Sequence, residues 1–436
     1  MQKVKSWTLM CIVTALLLLQ CGCVAEPVNP TTETEATGQT QTTATEPVEL
    51  TLWHIWATES DSNKEPFEKA LASWLTENQQ IKINVVATEN ETYKIKLRVA
   101  IAVNEAPDIF YSWGAGFAKP FIDAGKVLPL SSRLTDETIS KLQPGSLDNF
   151  TYDGQVYALP TFMIAGIFYV NTDLFERYQI AIPRTYEELL AAVKGFRQAG
   201  ITPIALGAKD GWPAMFYQNI LAIRTAGIEK CQAALRKEVS FDQPAFVESA
   251  ELLKQLVDAG AFDARSIQMT QYEADQQFLS GRVPMYYTGS WLAGIIEKND
   301  QIRNKIKVYN FPAVPGAAGD ANGFIGGTID TFMISAFTRF PDEAVKAVSG
   351  INERFSRESF LAGAGLPAWQ FDIDKSLASP LSVAIVELLE SRDGFVLAWD
   401  TMLEGLDARI HINLVTDIIA GRLSPEEFAI EMQKLN

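Results

Sequence analysis

A histidine set between two indoles can do chemistry, and the segment "LWHIWATES" at Leu52–Ser60 places His54 between Trp53 and Trp56. An imidazole there could act as a general base, ligate a metal, line a binding wall or pack in a core. The chain has two histidines, and nothing in the spacing of His54 and His411 requires them to meet. A histidine-based metal site would need both, with carboxylates beside them. Nucleophilic catalysis lacks its frames: there is no G-x-S-x-G elbow, and Cys231 sits in the helical context "IEKCQAAL". No phosphate loop of the G-x-x-x-x-G-K-S/T type occurs, and Gly326-Gly327-Thr328 alone does not make one. The expectation is no metal, no cofactor and no catalytic residue.

Glycoside hydrolysis is the enzymatic alternative. It needs two carboxylates flanking a sugar cleft, and Glu59, Asp61, Asp210, Asp330 and Asp400 are candidates. In a chain with 53 acidic residues, candidates of this kind do not discriminate. The nine tryptophans say more. Trp74 has helical spacing and reads as core. Trp53, Trp56, Trp113, Trp212, Trp291, Trp369 and Trp399 lie in less regular surroundings, several beside Gly, Ser or Asp. Indole faces stack on the C–H faces of sugar rings, and carboxylates bond the hydroxyl edges. Binding clefts combine such an apolar wall with a few polar groups.

These residues must be positioned by an alternation of strands and helices. "VELTLWHIW" reads as a strand, "EPFEKALASWLTEN" as a helix with Phe67, Leu71, Trp74 and Leu75 on one side, and "IKINVVAT" as a second strand. A helix around "YKIKLRVAIAV" then leads into the strand "PDIFYSW". This order predicts a doubly wound parallel sheet, whose ligands sit beyond the carboxyl ends of its strands. Those ends carry Trp53–Trp56 and Tyr111–Gly114. A second α/β region starts near Ala158. It includes "AGIFYVN", a helix opened by the capping box Thr185–Glu188, and "RVPMYYTGSW", with another box at Ser424–Glu427 near the C-terminus. On the first strand Leu50, Leu52, His54 and Trp56 share one face and Trp53 takes the other. His54 is then expected to be a hydrogen-bonded strand-end residue, and Trp56 and Glu59 are better candidates for touching ligand.

The N-terminus carries Lys3 and Lys5, then the apolar run "WTLMCIVTALLLL". That run has signal-segment length and is short for a membrane span. It ends at "QCGC", where Gly22–Cys23 fits a lipoprotein cleavage and acylation site, with Cys21 as the competing acceptor. Residues 1–22 are thus expected to be a signal peptide. Residues 23–47, rich in Thr, Glu and Pro, would form a disordered tether with ends on the order of 25–30 Å apart. Only Cys231 remains in the body, which excludes an internal disulfide framework. The net charge of -16, without a basic cluster, argues against nucleic acid and anionic lipid as partners.

Five segments in order resemble the extracellular solute-binding proteins of carbohydrate ABC transporters, the maltodextrin and oligosaccharide-binding group. They are "PDIFYSWGAGFAKPFIDAGKVLPLSS", "DGQVYALPTFMIAGIFYVNTDLFERY", "TPIALGAKDGWPA", "FLSGRVPMYYTGSW" and "IAGRLSPEEFAIEMQ". The resemblance implies an α/β, two-lobe periplasmic-binding-protein-like fold (type II), each lobe a sheet flanked by helices, joined by hinge segments. It places the N-terminal lobe at 48–157 plus 312–350 and the C-terminal lobe at 158–311 plus 351–436. It implies a monomeric lipoprotein on the extracytoplasmic face of the bacterial membrane. Such a protein captures a neutral oligosaccharide and delivers it to ABC permease transmembrane subunits. The ligand-binding residues expected on this basis are Trp56, Glu59, Asp61, Trp113, Trp212, Trp291, Asp330, Trp399 and Asp400. Trp399 would stack on a sugar and Asp400 would bond its hydroxyls. A surface glycoside hydrolase, or a sensing subunit of a membrane signalling system, remains the alternative.

Overall fold

Alternation along the first strand sets its orientation: Leu50, Leu52 and His54 turn inward, while Glu49 and Thr51 face solvent. A computed structural model describes residues 47–372 and 374–435. The expected signal peptide, the acylation at Cys23 and nearly all of the tether lie outside the described residues. In chain order the strands are β1 Val48–His54, β2 Ile81–Ala87, β3 Ile109–Trp113, β4 Thr151–Tyr152, β5 Gln155–Val156, β6 Ala158–Pro160 and β7 Met163–Asn171. They continue with β8 Ile204–Ala205, β9 Met285–Gly289, β10 Ile306–Tyr309, β11 Gly323–Thr328, β12 Asp330–Ile334 and β13 Gly394–Val396.

β1 pairs in parallel with β2 (Val48 opposite Ile81) and with β3 (Leu52 opposite Ile109). This is the parallel unit expected from the strand–helix alternation. β12 and β6 then add antiparallel, which gives the order β2-β1-β3-β12-β6. These two strands are antiparallel because the chain enters or leaves the other sheet through them. The second sheet has the order β13-β11-β7-β9-β8, with β10 also on β7. The long β7 organises it, pairing antiparallel with β9, β10 and β11.

The helix Lys64–Glu77 buries Phe67, Ala70 and Trp74 and lies beside the helix Pro341–Leu361 on one face of the first sheet. Burying a side chain such as Phe67 contributes roughly 1.5–3 kcal/mol. The helix Trp212–Ala226 is buried on every side, the pattern of a helix inside a core rather than upon it. Its polar residues find partners there. Gln218 Oε1 accepts from Asn219 Nδ2 at 2.8 Å and from His411 Nε2 at 3.1 Å, and Asn219 Oδ1 accepts the Trp399 N–H at 3.0 Å. The Arg224 guanidinium donates to the carbonyls of Phe311, Asp320 and Gly323 and to Asn310 Oδ1, pinning the strap between β10 and β11. Both expected capping boxes form, and a third, Thr270 with Glu273, opens the helix Gln271–Leu279.

Strand pairing moves the expected lobe boundaries. β6 belongs to the first sheet and β11 to the second, although 158 was assigned to the C-terminal lobe and 312–328 to the N-terminal one. The helix Pro341–Leu361 runs unbroken past 350 and packs on the helix Lys64–Glu77 and on β6 and β12 of the first sheet. The chain crosses between sheets at Thr161–Phe162, at Ile329 and after the helix Pro341–Leu361. At the second crossing Gly326 and Gly327 hold φ of 148° and 125°. A Cβ on Gly326 would also stand 2.3 Å from the Ile164 carbonyl oxygen, so the close approach of β11 to β7 needs glycine.

Candidate functional site

The carboxyl ends of β1 and β3 point toward the second sheet, and the expected site residues distribute themselves around that crevice. His54 is buried beside it. Its Nδ1 accepts the Trp56 N–H at 3.1 Å, and its ring stacks on Trp56 at 5.1 Å and tilts against Phe67 at 4.6 Å. Burial, and then the Lys64 charge, lower its pKa to about 4. The ring is a neutral, hydrogen-bonded strand-end residue, as expected.

Three of the expected stacking residues, Trp56, Trp212 and Trp399, are buried in the cores. Trp56 is 5% exposed and enclosed by His54, Phe67, Tyr111, Phe332 and Phe355. Trp399 is 0% exposed, stacked on His411 at 5.0 Å and packed against Phe241 and Phe246. Protein rings already occupy the indole faces a sugar would need, so ligand stacking by Trp56 and Trp399 is corrected to core packing. Asp330 is a third correction. Tyr111 Oη–H donates to its carboxylate, the Trp113 indole adds a second bond, and its backbone carbonyl accepts both N–H and Oγ1–H of Thr161 at 2.9 Å. It ties two crossing segments together. Burial pushes its carboxyl up to about 7, against the two hydrogen bonds.

Trp113 and Trp291 keep part of the indole exposed, and Trp212 is buried beside Trp291. Trp113 is half-buried, edge-on to Tyr111 at 5.2 Å and Phe117 at 4.9 Å, with Lys94 Nζ 5.3 Å from its centroid. Trp212 opens the buried helix and meets Phe216 at 5.3 Å and Trp291 at 5.9 Å. Trp291 is half-buried and packs against the hydrophobic clusters of both sheets. Among the described residues it is the one indole packed against all three clusters.

Carboxylates from both sheets converge on the same region. From the first come Asp61, in the turn after β1, and Glu89, which caps the helix Asn90–Ala102 by accepting from Glu91 N at 3.1 Å and Thr92 N at 3.2 Å. Asp61 Oδ2 accepts the Thr58 N–H at 2.7 Å. From the second come Asp210, Asp275 and the half-buried Asp400. Burial raises Asp61, with Glu89 adding to it, and raises Asp210, with Glu91 and Glu89 adding to it. Asp275 goes up to about 7 by burial first, reinforced by Asp210 and Asp61. Asp400 goes up to about 6 by burial, opposed by Lys94 and reinforced by Glu91. Glu59 is exposed and paired with Lys64. The sequence reading missed Glu89, Glu91, Lys94 and Asp275, whose helical segments read as framework. The stretch "TENETY" before an amphipathic helix was the available signal for Glu89.

A cleft of about 790 Å³ opens beside the crossings, walled by Asn149, Met163, Gly327, Leu366, Leu397 and Met402. Met402 also packs on the clusters of both sheets. Among the described residues no group of three or more His, Cys, Asp and Glu could hold a metal ion, and no helix is long and apolar enough to cross a membrane. The site can therefore do this: present indole faces and hydroxyl-accepting carboxylates from two separate sheets to one guest.

Comparison with known proteins is consistent with this geometry. Residues 56–349 match the family described as bacterial extracellular solute-binding protein. A structure solved in work on xylan utilization by Caldanaerobius polysaccharolyticus is 39% identical, with a TM-score of 0.85, covering 89% of this chain and 99% of that one. A chitin oligosaccharide binding protein is 27% identical, with a TM-score of 0.81, covering 89% and 98%. The melibiose/raffinose/stachyose-binding protein of Bacillus subtilis is 22% identical over 77% of this chain and 74% of its own. The chain belongs to the bacterial extracellular solute-binding proteins, two-lobed binding proteins of transporters rather than enzymes.

Proposed function

We propose that this protein captures a neutral oligosaccharide in the crevice between its two sheets, closes its lobes on it and delivers it to the membrane subunits of an ABC importer. The observation that carries this is Trp291, a half-exposed indole in contact with the clusters of both sheets and 5.9 Å from Trp212. Trp113 and Trp291 would supply the stacking faces, with Trp212 behind Trp291. Asp61 and Asp400 would accept sugar hydroxyls, and Glu59 would stand at the mouth. The lobes would follow sheet membership and move about the three crossings. Two of the similar proteins are named for oligosaccharides, and the one at 39% identity comes from work on xylan utilization. Xylo-oligosaccharides are therefore the first ligands to try.

Acylation at Cys23, a tether over 23–47 and a monomeric state complete the proposal. They keep the receptor at the extracytoplasmic face beside its permease. A titration of intrinsic tryptophan fluorescence with xylo-, malto-, raffinose-type and galacto-oligosaccharides tests the ligand class. The expected result is a saturable change with one class. Silence toward all four, with a response to peptides or metal ions, would contradict it.

A further inference from the structure

One buried carboxylate joins a crossing segment to a half-exposed indole. Asp330 opens β12, directly after the crossing at Ile329. Strand register sets it opposite Trp113 of β3, and Phe332 opposite Tyr111. Opposed residues of an antiparallel pair show their side chains on one face, so Asp330, Trp113 and Tyr111 share one side of the first sheet. The Asp330 carboxylate accepts the Tyr111 hydroxyl and the Trp113 indole N–H. Tyr111 is fixed in turn. Its ring stands edge-on to Trp113 at 5.2 Å and to Trp56 at 5.0 Å, and its carbonyl accepts the Tyr93 hydroxyl at 2.6 Å. On the crossing itself, the Gly114 N–H donates to the Ile329 carbonyl at 2.9 Å, and Thr161 holds the Asp330 carbonyl.

An indole has one polar atom, and that atom only donates. Bonded to a buried anion, it holds its ring in one orientation through a hydrogen bond stronger than a neutral one. A ring fixed before a guest arrives spares the cost of ordering it on binding. Protonation changes the count: three donors then surround two carboxyl oxygens. The Tyr111 hydroxyl can turn and accept, but the Trp113 N–H cannot. Burial brings this proton within reach of neutral pH, raising the carboxyl to about 7 against the same two bonds. The buried side chains of the helix Pro341–Leu361, which packs on β12, are uncharged. His54 reaches Tyr111 only through Trp56. Lys94 stands 5.3 Å from the Trp113 centroid and pairs with Glu91 at 2.7 Å. Asp61, Asp275 and Asp400 are raised by burial elsewhere around the crevice.

We infer that Asp330 is the positioning residue for the Trp113 stacking face: its ionised carboxylate holds the indole N–H and so fixes, from the crossing at Ile329, the ring on which a sugar would stack. The inference rests on the oligosaccharide capture proposed above. At 5% exposed, Asp330 acts through Trp113 and does not itself meet the guest. Sugar affinity therefore rises as pH passes upward through about 7, the opposite sense to this group's effect on stability, because the guest favours the ionised form and burial favours the neutral one.

Two measurements on the full-length protein test this. In the ligand-free state, the NMR resonance of the Trp113 indole N–H, identified by its loss in Trp113→Phe, should shift with a midpoint near pH 7 and stop shifting in Asp330→Asn. Calorimetry with the oligosaccharide that saturates the fluorescence titration should show wild-type affinity rising about three- to tenfold from about pH 5.5 to about pH 8.5. That rise should be lost in Asp330→Asn and, separately, in Trp113→Phe, which keeps a ring but has no N–H. Crevice carboxylates such as Asp275 and Asp400 titrate alike in all three proteins, so the difference between profiles isolates the Asp330–Trp113 bond. Profiles of both variants parallel to wild type overturn the assignment and leave sugar capture standing. A rise lost in Asp330→Asn but kept in Trp113→Phe also overturns it, since Asp330 would then act on the crossing and not on the indole. An indole resonance indifferent to pH overturns it without any sugar. If no oligosaccharide binds at any pH, the capture reading fails and the positioning role falls with it.

Discussion

Asp330→Asn should remove a pH-dependent cost that the crossing segments carry. The Asp330 carboxyl is 5% exposed, accepts from Tyr111 and Trp113, and is raised by burial to about 7. In an unfolded chain it would titrate near 3.9. The folded state keeps the proton to higher pH, so the stability this group contributes is fully present below about pH 4 and is lost as pH rises through about 7. The slope in that window is at most ~1.4 kcal/mol per pH unit, or roughly 2–3 kcal/mol between pH 5 and pH 8. His54 and His411 act in the opposite sense. Lowered by burial to about 4 and about 3, they contribute stability that is present above about pH 6.5 and is lost as pH falls. The wild-type profile mixes the two slopes, and the difference between variant and wild type isolates Asp330. The amide does not titrate, so the variant's own bonds to Tyr111 and Trp113 are the same at both pH values, and the pH-dependent part of the difference belongs to the Asp330 carboxyl. Urea denaturation of the pair at pH 5 and pH 8 should therefore show the variant gaining roughly 2–3 kcal/mol relative to wild type. A difference independent of pH would refute the reasoning.

Other outcomes follow from the same structure. Trp291→Ala should weaken oligosaccharide binding about 10–100-fold, the loss of a central aromatic anchor, and Trp291→Phe should recover part of it; calorimetry reads both. Trp399→Phe should leave sugar Kd within about twofold while lowering unfolding free energy by about 1–3 kcal/mol, because the indole fills a sealed core. Gly326→Ala should destabilise the crossing by about 1–3 kcal/mol in urea melts, since its Cβ has no room beside Ile164.

The strand–helix order of the first lobe was legible because period-2 and period-3.6 patterns are local. Phe67 and Trp74 fall inward on their helix as their spacing requires, and Thr185 and Ser424 cap as their sequences say. Sheet membership was less legible. β11 and β12 are separated by one residue, Ile329, yet belong to different sheets, and no local pattern marks a crossing except Gly326-Gly327. Among the indoles the failures share one cause. Trp56 and Trp399 sit at element ends beside polar residues, as exposed tryptophans do, but His54 and His411 stack on them and close the core. A short polar context does not reveal a long-range aromatic lid. Lys94 and Asp275 escaped notice for the converse reason. Their helices read as framework, and only the folded arrangement puts Lys94 over Trp113 and Asp275 within reach of Asp210 and Asp61.

The most direct test of the central claim is a crystal structure of the full body, residues 47–436, grown with a xylo-oligosaccharide or with whichever oligosaccharide saturates the fluorescence titration. The account predicts sugar rings in the crevice, stacked on Trp291 or Trp113, with hydroxyls bonded to Asp61 or Asp400. Sugar bound elsewhere on the chain, with these side chains positioned as in the free protein, would contradict it.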